Sequence, residues 1–324
     1  MQKILFLFPG QGAQYPGIGS DLISEFLLAA EIYDQASSIL GYDMVALCND
    51  ATSGDINLTK YTQPVLLTHS FACMQVFLQE SGHKHNPGFS CGHSLGEYGA
   101  LIAGGALDFE SALKLVSARG ECMGKYGGGE MLAIPLSEDQ LIPLIEPSPC
   151  EIAACNLPEQ TVVGGWPKEL DEVIVQIEEM FPSKPTTRLK TEGAFHTSHM
   201  FPAAQEFQTH LNESNLTKPK IPVASNVSGK FHDSEIDSIK NNLYLQLFKP
   251  VRWHSNLMTI AEQGIDAVIE FGGGLGAGND PAEKRPNLAG TVTRSYRRLS
   301  PRPVYHSVIN LKTLHNAIDK FADS

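Results

Sequence analysis

The chain has no run of about 18 uncharged apolar residues, so nothing in it reads as a membrane span. Its apolar start, Ile4-Leu5-Phe6-Leu7-Phe8, meets Pro9-Gly10-Gln11-Gly12 at once. That stretch is too short for a secretory signal and reads as a first buried strand. Cysteine is scarce: six among 324 residues, none in a CxxC pair. This excludes a disulfide framework and a zinc-type motif, and points to a reduced, cytoplasmic setting. Gly127-Gly128-Gly129 has no Gly-Lys-Ser/Thr after it, so it is not a phosphate loop, and Gly10-Gln11-Gly12 lacks the third glycine of a dinucleotide fingerprint. Positive charge is also short, with 24 Lys and Arg against 36 Asp and Glu. The net charge of −12 argues against a general nucleic-acid binder.

What is present fits an ordinary globular chain, 42% hydrophobic and 19% charged. A helical pattern begins near Asp21 and another near Thr62-Gln63-Pro64, with Pro64 suited to a first helical turn. A short apolar segment ends at Ser90-Cys91, and a helix of small residues follows from about Leu95 to Ala103. Past Gly127–Gly129 the texture changes to short strands with a helix near Lys168–Met180, an α+β insert of about 70 residues. Ile265–Glu270 reads as the final buried strand. The polar stretch from Gly276 to Arg302, with Pro281, Pro286, Pro301 and Pro303, reads as loop. Within it, residues 284–302 hold six Lys and Arg and no acid, so the segment is +6 and the rest of the chain −18.

Gly92-His93-Ser94-Leu95-Gly96 fits the GxSxG nucleophile elbow. A serine on a sharp strand-to-helix turn projects its hydroxyl from the sheet edge, and glycines two residues either side permit close backbone approach. The helix after it aims N–H groups where oxyanion charge develops. An incidental match is the alternative, because glycine and serine are common. Serine needs a base, and eleven histidines are available. His196, in Gly193-Ala194-Phe195-His196, stands out by its setting; a helix-capping or partly exposed histidine is the competing reading. His199 is a decoy three residues on, and His93 reads as structural, since neighbours on an elbow point apart. Gly10-Gln11-Gly12 offers either a second oxyanion donor or a plain tight turn. Arg119, on an apolar helix, is either paired with a neighbour or placed to meet an anion.

Together, Phe8–Gln14, Thr62-Gln63-Pro64, Gly92–Tyr98, Arg119-Gly120, Asn156, Gly193–His196, Ser225-Asn226-Val227 and Gln246–Trp253 are ordered and spaced as in one family. Over residues 1–274 the chain resembles the malonyl-CoA:acyl carrier protein transacylases, the FabD-like acyltransferases that include trans-acting polyketide synthase members. The resemblance implies an α/β class: an α/β-hydrolase-like large subdomain (1–126 and 196–324) and an inserted ferredoxin-like α+β subdomain (127–195), with the site between them. It implies Ser94 as the acylated nucleophile, His196 as base, Gln11 and Leu95 as backbone oxyanion donors, and the Gln246 carbonyl as the group orienting the histidine. Arg119 would clamp the malonyl carboxylate, with His93, Phe195 and Asn156 also at the substrate. Phe195 resembles the bulky residue of malonyl-selective members.

The implied reaction moves malonyl from malonyl-CoA to the phosphopantetheine thiol of an acyl carrier protein, in fatty-acid or polyketide synthesis. It uses no metal or resident cofactor, and the enzyme would be a cytoplasmic monomer without nucleic-acid or membrane partners. An editing hydrolase of the same fold and a non-catalytic carrier-binding module are the alternatives; Arg119 counts against the first, and Ser94 with His196 against the second. The resemblance fails at Phe271-Gly272-Gly273-Gly274-Leu275, where the family has Gly-Pro-Gly, and at Thr197-Ser198-His199-Met200. Acidic carrier proteins require a local basic surface, and Lys249, Arg252 or residues 284–302 are candidates for it.

Overall fold

The strands, in chain order, are β1 (Ile4–Phe8), β2 (Phe89–Gly92), β3 (Glu130–Ile134), β4 (Glu151–Leu157), β5 (Gln160–Gly165), β6 (Thr187–Leu189), β7 (Ala267–Phe271) and β8 (Val304–Val308). The structure is a computed structural model that describes residues 2–52 and 54–322. One sheet is parallel, in the order β2-β1-β7-β8. Helices cover it, and β1 and β7 are buried at every position. That is why both read as continuous apolar runs instead of alternating ones. Phe6, Phe8, Phe77 and Phe271 pack together at the centre.

The second sheet is antiparallel, in the order β4-β5-β3-β6. With the helices Glu138–Ile145 and Pro167–Met180 it makes a β-α-β-β-α-β unit of the ferredoxin-like kind. Its strands serve two cores by alternation. Leu132, Ile134 and Val163 pack with Leu141, Leu170, Val173 and Ile177 in a core of the unit's own. Met131, Ala154 and Val162 join the main core on the other side. The fold class is therefore the expected one, an α/β-hydrolase-like part and a ferredoxin-like part. The parts are tied where Val251 continues the edge of β4: Val251 N donates to Ala153 O at 3.0 Å and Cys155 N to Val251 O at 2.9 Å. Beside that bridge Arg252 is paired with Glu138 at 2.5 Å.

Three local expectations need correction. The helix that carries Pro64 starts earlier, at Thr59, and runs to Glu80, so the proline is in its interior. The donor lost there is the one owed to the Lys60 carbonyl, and Lys60 is exposed. Next, β7 is not the last strand. β8 follows it on the sheet edge, where half-exposed Tyr305, His306 and Ser307 hid the strand pattern. Lastly, the polar stretch 276–302 is not all loop. It holds a helix, Ala289–Ser295, which docks through Leu288, Val292 and Tyr296. Lys284, counted as part of a basic surface, is buried with Nζ donating to Gly276 O at 2.9 Å and Gly278 O at 2.5 Å. Among the described residues no helix is long and apolar enough to cross a membrane.

Candidate active site

β2 ends at Gly92 and the helix Gly96–Ala103 begins four residues later. The turn between them is possible only with glycine at its ends. A Cβ on Gly92 would lie 1.9 Å from the Gly96 carbonyl, and one on Gly96 would lie 2.1 Å from Phe8 O. Ser94 at its tip takes φ 52°, a conformation disfavoured for any residue with a side chain. Asn226 holds it there: its Oδ1 accepts from Ser94 N at 2.6 Å, and its Nδ2 donates to Gly92 O at 2.7 Å.

Ser94 Oγ lies 2.8 Å from His196 Nε2. His196 also has positive φ, at 63°. Its backbone N donates to Leu247 O at 3.0 Å and its Nδ1 to Gln246 O at 2.6 Å. A carbonyl can only accept, so Nδ1 carries the proton and Nε2 faces the serine as an acceptor. Burial drives the imidazole's pKa down to about 3, helped by the Arg119 charge, with the Gln246 carbonyl opposing. The ring is therefore neutral at neutral pH.

Arg119 is 1% exposed, yet among the described residues it makes no ion pair with a carboxylate. Its partners are neutral oxygens: Gln63 Oε1 at 2.8 Å, Gln246 Oε1 at 2.9 Å and Ser94 Oγ at 3.2 Å. Nε is buried with no partner. Burial lowers the pKa of the guanidinium, while Tyr98 and Glu97 act to raise it. The Gln246 amide separates Arg119 from Glu97, since its Nε2 donates to Glu97 Oε2 at 2.6 Å and to Ser94 O at 3.0 Å. Glu97, fully buried, also accepts from Asn226 N at 3.1 Å and pairs with His232 at 2.7 Å.

These groups open onto a cavity of about 460 Å³ between the two sheets. Gln11, His93, Ser94, Leu95, Arg119, Asn156, Phe195 and His196 all line it, so eight of the nine expected site residues meet in one place. The ninth, Gln246, lies behind His196. Among the described residues neither the Gln11 nor the Leu95 N–H has an acceptor. His93 Nε2 reaches across the cleft to Asn156 Oδ1 at 2.9 Å, so the residue read as structural bridges the two parts. His199 lies apart, against Trp166. Sequence reasoning assigned no role to Glu97, Asn226, Gln63 or His232. The first three lay in the quoted motifs, and a carboxylate on an otherwise small, apolar helix was the available signal for Glu97. Nor did it foresee that Leu288 and Thr291, in the divergent segment, would line the cavity.

The model of the acyl transferase domain matches residues 5–272. Polyketide biosynthesis protein PksE of Bacillus subtilis is 36% identical over 276 residues, covering 84% of this chain, which spans only 35% of that protein's length. The malonyl CoA-acyl carrier protein transacylase of Bacillus subtilis is 35% identical, covering 85% of this chain and 88% of its own. The crystal structure of malonyl CoA-acyl carrier protein transacylase from Clostridium perfringens superposes with a TM-score of 0.87 at 33% identity, covering 99% of this chain and 98% of that one. The elbow, the cleft between two sheets and these likenesses lead to one conclusion: the chain belongs to the acyl transferase domain family, among the malonyl CoA-acyl carrier protein transacylases.

Proposed function

We propose that this chain moves a malonyl group from malonyl-CoA to the phosphopantetheine thiol of an acyl carrier protein. The observation that carries the reading is Arg119: a buried guanidinium with no carboxylate partner among the described residues, 3.2 Å from the hydroxyl that His196 contacts. An unpaired buried cation is costly, and a carboxylated acyl group attached at Ser94 would supply the missing anion. Residues 1–126 and 196–324 are then the catalytic part, and 127–195 the insert that closes the cleft.

In the first half-reaction His196 Nε2 takes the Ser94 proton as Oγ attacks the thioester carbon. The Gln11 and Leu95 N–H groups receive the oxyanion. The intermediate expels the CoA sulfur, which takes the proton from His196 and leaves a malonyl ester on Ser94. In the second, the carrier thiol gives its proton to His196 and attacks the ester carbon. Ser94 Oγ departs and recovers that proton. Malonyl-CoA as donor, a carrier protein as acceptor and a cytoplasmic setting belong to one reading. The relatives' names span fatty-acid and polyketide types, and the site chemistry serves both.

Mass spectrometry after incubation with malonyl-CoA tests the reading. A malonyl adduct is expected on the parent and none on Ser94→Ala; a parent without adduct overturns it. Arg119→Ala is expected to lose malonyl transfer by about a hundredfold or more, as for a buried charge deprived of its partner, and acetyl transfer far less. Equal losses for the two acyl groups would remove the clamp role.

A further inference from the structure

One wall of the cavity comes from the divergent segment after β7: Asn287, Leu288 and Thr291. An antiparallel bridge between Leu275 and Arg285 stops two residues short of this wall. At the wall itself the backbone N–H groups of Asn287 and Leu288 donate to the two oxygens of Glu270, at 2.7 Å and 2.9 Å. Tyr305, from β8, donates its hydroxyl to the same carboxyl group. Glu270 is the single polar residue of the Ala-Val-Ile-Glu-Phe strand β7 and is fully buried. Burial pushes its carboxyl up to about 7 against these three donors, so its presence in the strand carries an electrostatic cost. Packing of β7 alone would be served by an apolar side chain.

The wall in turn reaches the elbow. Thr291 Oγ donates to Leu288 O at 2.9 Å and accepts from Trp253 Nε1 at 3.1 Å. The Trp253 ring packs edge-on against His93, with centroids 5.3 Å apart. The cavity also has a direction. Arg119 and Met123 are each 1% exposed at its floor, whereas Leu275 is 36% exposed and Asn287 and Thr291 half-buried. With an acyl carboxylate on Arg119 and its carbonyl at Ser94, the thiol side of either substrate leaves past this rim. That side is the same pantetheine arm in coenzyme A and in a holo carrier protein.

We propose that Glu270 is a positioning residue for the pantetheine arm, setting the wall Asn287–Thr291 along which the arm of both donor and acceptor lies. The assignment rests on the transacylase reading above. It predicts a binding defect shared by the two substrates and no defect in acyl transfer itself.

The test is steady-state kinetics of full-length Glu270→Gln and Glu270→Ala, with malonyl-CoA and holo carrier protein varied in turn. Glutamine keeps one acceptor oxygen and alanine none. The KM values for both substrates are expected to rise about fivefold in the glutamine variant and further in the alanine variant, with kcat within about twofold of the parent. Tyr305→Phe leaves both wall contacts in place and is expected to leave both KM values unchanged. A folded Glu270→Gln, judged by its thermal melt, with unaltered KM values overturns the proposal, as does a fall in kcat at constant KM. If the alanine variant does not fold, the glutamine variant decides. Adduct formation separates this failure from that of the underlying reading: a parent that does not acylate at Ser94 sinks the transacylase assignment, whereas a parent that acylates beside a kinetically normal Glu270→Gln sinks only the role of Glu270.

Discussion

Three non-glycine residues among those described have positive φ, and two of them are Ser94 and His196. Backbone held in that region costs of order 1–3 kcal/mol per residue and survives where the surroundings fix it. For Ser94 the cause is local and was legible: the glycines at positions 92 and 96 are the spacing that such a turn requires. For His196 the cause is remote, because Gln246 and Leu247 are about fifty residues away, and no property of a histidine in sequence discloses a carbonyl behind it. Arg119 was ambiguous for the same reason, with its neutral partners at positions 63 and 246. The depressed pKa of His196 has a definite sign. The neutral ring is favoured in the fold, so its contribution to stability is present above about pH 6.5 and is lost as pH falls toward the folded value of about 3. In the proposed reaction the base is already deprotonated at mildly acid pH. The kcat for malonyl transfer is expected to stay level between about pH 8 and about pH 5.5, without the fall near 6.5 that an ordinary histidine would give. A pH-rate profile with a break near 6.5 would show a base of normal basicity.

At the scale of elements, legibility followed burial. β1 and β7 announced themselves as apolar runs because the parallel sheet is covered on both faces. β8, half-exposed on the edge, did not, and neither did the seven-residue helix Ala289–Ser295 among polar and proline-rich neighbours. The β2 elbow is the element with least tolerance. Replacing Gly92 by alanine sets a methyl group into the Gly96 backbone, where neither side can yield without moving β2 or the helix after it. Gly92→Ala should lower the unfolding free energy by about 3 kcal/mol, the upper part of the usual over-packing range. Urea titration would measure it, and an unchanged midpoint would mean that the turn relaxes more freely than its contacts imply.

For the whole molecule, the composition concealed a division of charge. The chain is −12 overall, yet Arg294, Arg297, Arg298 and Arg302 are exposed on the segment that continues the cavity wall. Lys284 has left that set by turning inward, and Arg252 is spoken for by Glu138. Under the proposed function, the remaining arginines are the basic surface offered to an acidic carrier. Neutralising Arg294, Arg297 and Arg298 together should raise the KM for the carrier and flatten its dependence on salt, while the KM for malonyl-CoA moves less. A carrier KM indifferent to the triple change would place docking elsewhere. The family resemblance covered everything up to Gly274 and fell silent here, because a polar segment of short elements carries little pattern of its own.

The hydrogen bond from His196 Nδ1 ends on a peptide oxygen, not on a carboxylate. A carbonyl orients the ring but brings no negative charge to balance the imidazolium that each proposed transfer would form. Such a base is weak, and weakness sorts acceptors by their acidity. A thiol, with a pKa of about 8.5, needs little help to become a nucleophile, whereas water, at about 15.7, needs a great deal. In the proposed reaction the ester on Ser94 would therefore wait for sulfur and outlast the water around it. On that reading the missing acid makes the acyl-enzyme durable enough to be handed on.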